Sequence, residues 1–162
     1  MRVYTLEHQI AALNPAAGDS LLIIELPSDL VVAIFKVGVY NLDNDVHEMI
    51  DVGLFRVNNK GSLAGGGSAP TPRLHDGGDV ASSVVVYEAG NTGMATEPTS
   101  WFSNPYDQQG VSNLSGYERE WPRDVSKCPI LSPSQLAGLR LMTAVSTGFK
   151  AQCLIEFAEI GG

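Results

Sequence analysis

The run Leu30-Val-Val-Ala-Ile-Phe-Lys-Val-Gly-Val-Tyr40 constrains this chain more than any other stretch. β-Branched and aromatic residues dominate it, Lys36 is its single charge, and Asn41-Leu-Asp-Asn-Asp45 closes it, so it reads as a strand. Both of its faces are apolar. A strand of that kind is covered on both sides, one step removed from a simple sheet with a wet face.

Similar runs recur between Gly, Pro, Asn and Asp. They are Ser20–Leu26, closed by Pro27, then Val46–Val57, Ser82–Ala89, Leu139–Val145 and Lys150–Ile160, with Val3–Ile10 and short pieces near Trp101 and Ile130. The turn-bounded rule gives about eight strands. Alternation is cleanest at the end: Leu139, Leu141, Thr143 and Val145 share one face, Ser146-Thr147-Gly148 turns the chain, and Ala151, Cys153, Ile155 and Phe157 share the next. This pair reads as an antiparallel hairpin. Helical signal is confined to one short turn at Pro133-Ser-Gln-Leu-Ala137. The expected fold is therefore all-β, a jelly-roll-like antiparallel β-sandwich of about eight strands with two long loops, in a single domain over 1–162.

A chain of 162 residues buries roughly 70% of its unfolded surface, enough for a core without staples. The two thiols agree, since Cys153 falls in the apolar alternation and behaves as a small hydrophobe. No apolar run approaches the ~20 residues of a membrane span, and Met1–His8 lacks the apolar centre of a signal peptide. The expectation is a soluble product of the cytoplasm. Charge narrows the partners further: 18 acidic against 10 basic residues leave −8, and the basic ones are scattered. Nucleic-acid binding needs clustered Lys and Arg to neutralise phosphates, so it is not expected.

Two stretches break the strand rhythm. Residues 58–79 hold six Gly and two Pro and form a candidate arm; residues 91–129 hold four Pro and five of the 12 aromatic residues. Loops longer than ~12–15 residues are usually functional. In the first, Gly65, Gly66 and Gly67 free the chain's direction, Pro70 and Pro72 stiffen an extended piece, and Arg73 follows. In the second, Trp101, Phe102, Tyr106, Tyr117 and Trp121 lie among polar residues, and three roles fit them: cover for a sheet's outer face, an oligomer interface, or a sugar-stacking platform.

Chemistry finds little support. The glycine-rich stretch precedes a strand rather than a helix, so it is no phosphate loop. His47-Glu48-Met-Ile-Asp51 resembles half of a zinc-peptidase motif, but on a strand its ends stand ~13 Å apart. Asp43-Asn44-Asp45 is an expected turn, with Glu48 where a calcium loop needs Gly. Gly67-Ser68 does not complete a nucleophile elbow, because Pro70 takes the last place. His8, His47 and His75 belong to separate segments, and a triad among them is a question for coordinates. No catalytic residue, cofactor or metal site is expected.

One resemblance remains. Phe55-Arg56-Val57, the loop from Gly65 to Ala81, a β-rich stretch, an aromatic region, Leu131-Ser-Pro-Ser-Gln-Leu-Ala-Gly-Leu-Arg140 and the ending Ile155-Glu-Phe-Ala-Glu-Ile-Gly-Gly162 occur in an order similar to small virion structural proteins of tailed bacteriophages. It spans the chain from about Asp45; His75 and Gly77-Gly78 depart from the Pro and Ala of that pattern. The resemblance implies a capsid decoration (cement) protein, a homotrimer made in the host cytoplasm and bound to the major capsid protein on the outer surface of the head. No membrane partner is expected. The alternative is a glycan-binding jelly-roll module of a phage head or tail fibre, using rings such as Trp101 and Trp121.

Overall fold

The computed structural model describes residues 1–13, 19–42, 48–61, 69–88, 95–97, 102–108, 116–145 and 148–161. Every element among them is a strand: β1 (Arg2–Leu13), β2 (Ser20–Glu25), β3 (Val31–Asn41), β4 (Glu48–Asn59), β5 (Arg73–Leu74), β6 (Val85–Glu88), β7 (Ala95–Thr96), β8 (Phe102–Gln108), β9 (Gly116–Glu120), β10 (Ile130–Leu131), β11 (Leu136–Leu141) and β12 (Phe149–Gly161). The aromatic segment 91–129 thus contains β7, β8 and β9.

Two antiparallel sheets stack face to face. In the first, β5, β1, β12 and β3 lie side by side, and the far edge of β3 carries β9 and then β10 along one lane. In the second, β6, β2, β11 and β4 lie side by side, and the far edge of β4 carries β8 and β7 along one lane. With each shared lane counted once and β5 and β6 set aside, eight strands remain in the order 1-8-3-6 and 2-7-4-5. That nesting of first with last is the jelly roll. β5 and β6 are an insertion between the fourth and fifth of those strands, and each widens one sheet by an edge.

The core lies between the sheets. Leu6, Ile34, Val37, Ile155 and Phe157 from the first meet Leu22, Ile24, Val52, Leu54 and Leu139 from the second, all buried. Tyr4 stacks on Phe157 with ring centroids 5.4 Å apart. As the run Leu30–Tyr40 requires, β3 is covered on its other face too, where Ala33 and Phe35 pack with Ala158, Cys128 and Ile130. A β-bulge makes this geometry. Lys36 pairs Glu156 while Ile34 pairs Phe157, so Phe35 is an extra, unpaired residue, and Phe35 and Lys36 both face away from the core that holds Ile34 and Val37.

The expected C-terminal hairpin does not form. β11 lies in the second sheet between β2 and β4, whereas β12 lies in the first between β1 and β3. Alternation specifies which face of a strand is buried and says nothing of its hydrogen-bonded neighbour; Leu139, Leu141, Ala151, Cys153, Ile155 and Phe157 do all point into the one core, from opposite sides. Thr143 lies outside β11 and is exposed. Nor does 133–137 form a helical turn. Ser134 has φ 61°, a left-handed value, and Gln135 N–H donates to Ser132 O at 3.1 Å, so Ser132–Gln135 is a reverse turn that feeds directly into β11.

Candidate functional site

The first sheet carries residues 69–79 of the arm and 116–129 of the aromatic segment, while 95–97 and 102–108 of the latter pair with β4 in the second sheet. From the arm, Pro72 is buried, and Arg73 and Leu74 pair with Thr5 and Tyr4 of β1. His75 N–H extends the pairing to Val3 O at 3.1 Å. Asp76 then turns the chain, accepting from Gly78 N–H at 3.0 Å. Residues 69–79 therefore lie on the chain's own body as an edge strand and a turn.

From the aromatic segment, 121–129 leaves the β9–β10 lane opposite the Phe35 bulge. Both ends are pinned there: Trp121 N–H donates to Phe35 O at 2.8 Å, and Ile34 N–H donates to Pro129 O at 2.9 Å. Ends that close make it a compact Ω-type loop. Inside it, Asp124 accepts from the Ser126 N–H and hydroxyl at 3.0 and 2.8 Å, bonds that hold its carboxyl below the ordinary range. Cys128 packs beneath, and Val125 stands exposed at the tip.

Glu156, at the centre of the sheet, ties the two segments together. Its Oε1 accepts from Arg123 Nη2 of the loop at 2.5 Å, and its Oε2 lies 4.0 Å from His75 Nε2 of the arm. The Arg123 guanidinium also stands 5.8 Å from the Phe35 ring. An exposed pair of this kind contributes only about 0.2–1 kcal/mol, so Glu156 selects an arrangement more than it stabilises the fold.

Thr5, His75 and Glu156 raise the question of a triad, and the geometry answers it. Thr5 Oγ1 contacts His75 Nε2 at 2.5 Å, but Glu156 faces the same nitrogen. A relay needs the carboxylate on the opposite ring nitrogen, where it orients the base. A second carboxylate, Glu159, is 9% exposed in its side chain and accepts from Tyr4 at 3.1 Å and Ser82 at 2.8 Å, with Arg2 at 4.0 Å. Burial, then the charge of Glu159, pushes the Tyr4 phenol up. A cleft of about 390 Å³ opens beside it, lined by Arg2, Asp29, Leu30, Ser83 and Glu159 among others. Each group bonded to Glu159 is a donor, an arrangement that locks the end of the sandwich rather than poising an acid or base. Among the described residues no three His, Cys, Asp or Glu converge on a metal position.

No family model fits the chain, and no curated sequence or solved structure resembles it significantly.

The sequence-selected contact residues divide between two sides of the molecule. Pro70, Pro72 and Arg73 reach the β5 edge, four strand spacings or about 19 Å from the lane that holds Tyr117 and Trp121. Phe102 and Tyr106 lie on β8, paired to Leu54 and Ile50, and β8 contacts β9, so these two and Tyr117 come to one side. Trp121 is 9% exposed and belongs to the core between the sheets. Gly65, Gly66, Gly67 and Trp101 lie outside the described residues.

Sequence reasoning missed Glu156 and a second cluster further along the same face. Lys36 Nζ donates to Glu118 Oε2 at 2.9 Å, and the Tyr40 hydroxyl donates to the same oxygen. The hydrogen bond from Tyr40 and then that from Lys36 hold the Glu118 carboxyl down; the bond to Glu118 raises Lys36, and burial followed by that same bond raises the Tyr40 phenol. The Tyr40 ring lies over Gly38, where any Cβ would come within 2.8 Å of it. Lys36 and Gly38, the two residues that interrupt an apolar run, were the available signal.

Proposed function

We propose that this chain is a non-enzymatic structural protein of a phage virion, which decorates the outer surface of the head and bridges major capsid subunits. The observation that carries the reading is the pairing of a jelly-roll body with the described residues 69–79 and 121–129 of two long segments, which meet at Glu156 on the first sheet. Such a face is ordered before it meets a partner, which lowers the cost of docking. Jelly rolls serve widely as capsid and lectin domains. A charge of −8 suits the outside of a shell, away from packaged DNA. Closure of three copies about a threefold axis would present identical faces to a capsid.

Particles decide it. The chain should copurify with virions, and heads assembled without it should break at lower temperature than heads with it added back. Virions that lack the chain, or heads of equal heat resistance, refute the proposal.

A further inference from the structure

The open edges of the two sheets are not alike. β5 follows Pro70 and Pro72 and opens on Arg73, and β1, past the end of β5, presents the exposed Glu7. β8 holds Pro105 and Asp107, β9 is Gly-Tyr-Glu-Arg-Glu, and β7 and β10 are two residues each. Proline, charge and brevity are the devices that keep an edge from pairing with another chain. β6 has neither proline nor charge over Val85-Val-Tyr87. Its one charge, Glu88, is its last residue and is met by His8 at 3.5 Å.

Hydrogen-bond parity shows what β6 offers. Leu26 N–H donates to Gln135 O at 3.0 Å, so the even-numbered residues of β2 face β11 and the odd-numbered ones face β6. Ile23 and Glu25 are odd, and they pair with Tyr87 and Val85. The backbone polar groups of Val85 and Tyr87 are therefore taken up by β2, and those of Val86 and Glu88 point off the sheet. Among the described residues no backbone group bonds to them there. Val84 N–H is closed by Ser82 Oγ at 3.2 Å, which leaves its carbonyl pointing the same way as that of Val86. Side chains alternate in step: Val84 and Val86 enter the core, while Val85 is 48% exposed on the outer face that it shares with Tyr87.

We propose that β6 pairs, antiparallel and about a twofold axis, with β6 of a second copy of this chain. The axis passes beside Val86, which exchanges N–H and C=O with its own counterpart. Glu88 N–H then donates to the Val84 carbonyl of the second copy, and Val85 crosses from Tyr87 on the outer face. Backbone pattern makes such an edge complementary to itself, as a twofold contact requires. Charge points the same way: each copy carries −8, so two copies meet most readily along a neutral edge, and here Glu88 lies opposite Val84 with no like charges directly opposed. The two second sheets become one continuous sheet. The Glu156 face belongs to the first sheet and stays open, so the inference goes beyond the decoration reading and does not rest on it.

A four-residue edge buries less than the ~1,200 Å² of a standard interface, so pairing depends on concentration. Analytical ultracentrifugation of the full chain from micromolar to millimolar should show one chain giving way to two. Val85→Lys, which places a charge on the edge, should stay single with its circular dichroism unchanged. Val125→Lys, 46% exposed at the tip of the 121–129 loop, should pair as wild type does. Amide exchange followed by NMR separates this edge from any other interface. Val86 and Glu88 should slow by about ten-fold or more as pairing sets in, whereas Val85 and Tyr87, bonded to β2, should be protected at every concentration. A single chain at millimolar concentration, pairing that survives Val85→Lys, or a pair in which Val86 and Glu88 still exchange fast refutes the proposal. A species of three chains with those two amides unprotected refutes it as well, and leaves the threefold decoration unit standing.

Discussion

Trp121→Ala separates a core residue from a contact residue. The ring is 9% exposed, belongs to the core cluster, and begins the 121–129 loop through its N–H bond to Phe35 O. A buried aromatic side chain removes about 150–200 Å² from water, worth about 4–5 kcal/mol at 25 cal/mol per Å². Relaxation at the sheet edge recovers part of that, so a loss of about 3–4 kcal/mol is expected. For a chain of this size each kcal/mol shifts the midpoint by about 2–4 °C, which gives a fall of about 6–16 °C. Urea unfolding followed by far-UV circular dichroism should show the midpoint lowered by about 1.5–2 M, taking a slope near 2 kcal/mol per M. Trypsin should also cut faster after Arg123 and Lys127, because the indole that anchors the first residue of the loop in the core is gone, although its N–H bond to Phe35 O is kept. A loss below about 1 kcal/mol, with binding to heads abolished, would refute this reasoning and make Trp121 a contact residue.

Glycine substitutions should rank by what the new Cβ meets. Gly116→Ala drives it against Val39 O at 2.5 Å and Tyr40 Cα at 2.7 Å, so β9 must separate from β3; Gly38→Ala meets only the end of the Tyr40 ring, which can swing. Chemical denaturation should give about 2 kcal/mol for the first and under about 1 kcal/mol for the second, and the reverse order would refute the close approach. His8, half-buried on β1 with Glu88 of β6 at 3.5 Å, is held below its ordinary 6.5 by burial, which outweighs Glu88. The unfolded chain therefore takes up this proton first, so stability falls as pH drops below 6.5 until folded His8 is protonated too. His8→Gln should flatten that part of the stability–pH curve, above the acid region where the depressed carboxyls of Glu25 and Glu118 add their own losses; an unchanged slope counts against it. Both thiols are free, but Cys153 is fully buried and burial pushes its pKa up, so a disulfide-exchange reagent should label Cys128 first and Cys153 only at the rate of unfolding. Rapid labelling of both in native protein would mean that β12 opens locally.

Much of this molecule is legible in one dimension. Leu30–Tyr40 announces a strand covered on both faces, and the alternation of Ala151, Cys153, Ile155 and Phe157 announces which face is buried, because side chains on a strand repeat every two residues wherever the strand lies. Gly, Pro, Asn and Asp mark the ends for equally local reasons. Partner choice is not local. Nothing in Leu139–Leu141 says that it bonds to β2 and β4 and leaves β12 to the opposite sheet, since the same inward alternation serves either arrangement. The grouping of side chains on the outer face is less legible still. Thr5, His75, Arg123 and Glu156, or Lys36, Tyr40 and Glu118, come from segments far apart in the chain, and the Phe35 bulge beside the 121–129 loop appears only once β3 and β12 are in register. The sequence by itself determined the strands and the faces they bury, through local sterics and hydrophobic period; which charged and aromatic side chains stand together was decided only by the tertiary structure, through the register of strands that the chain brings side by side.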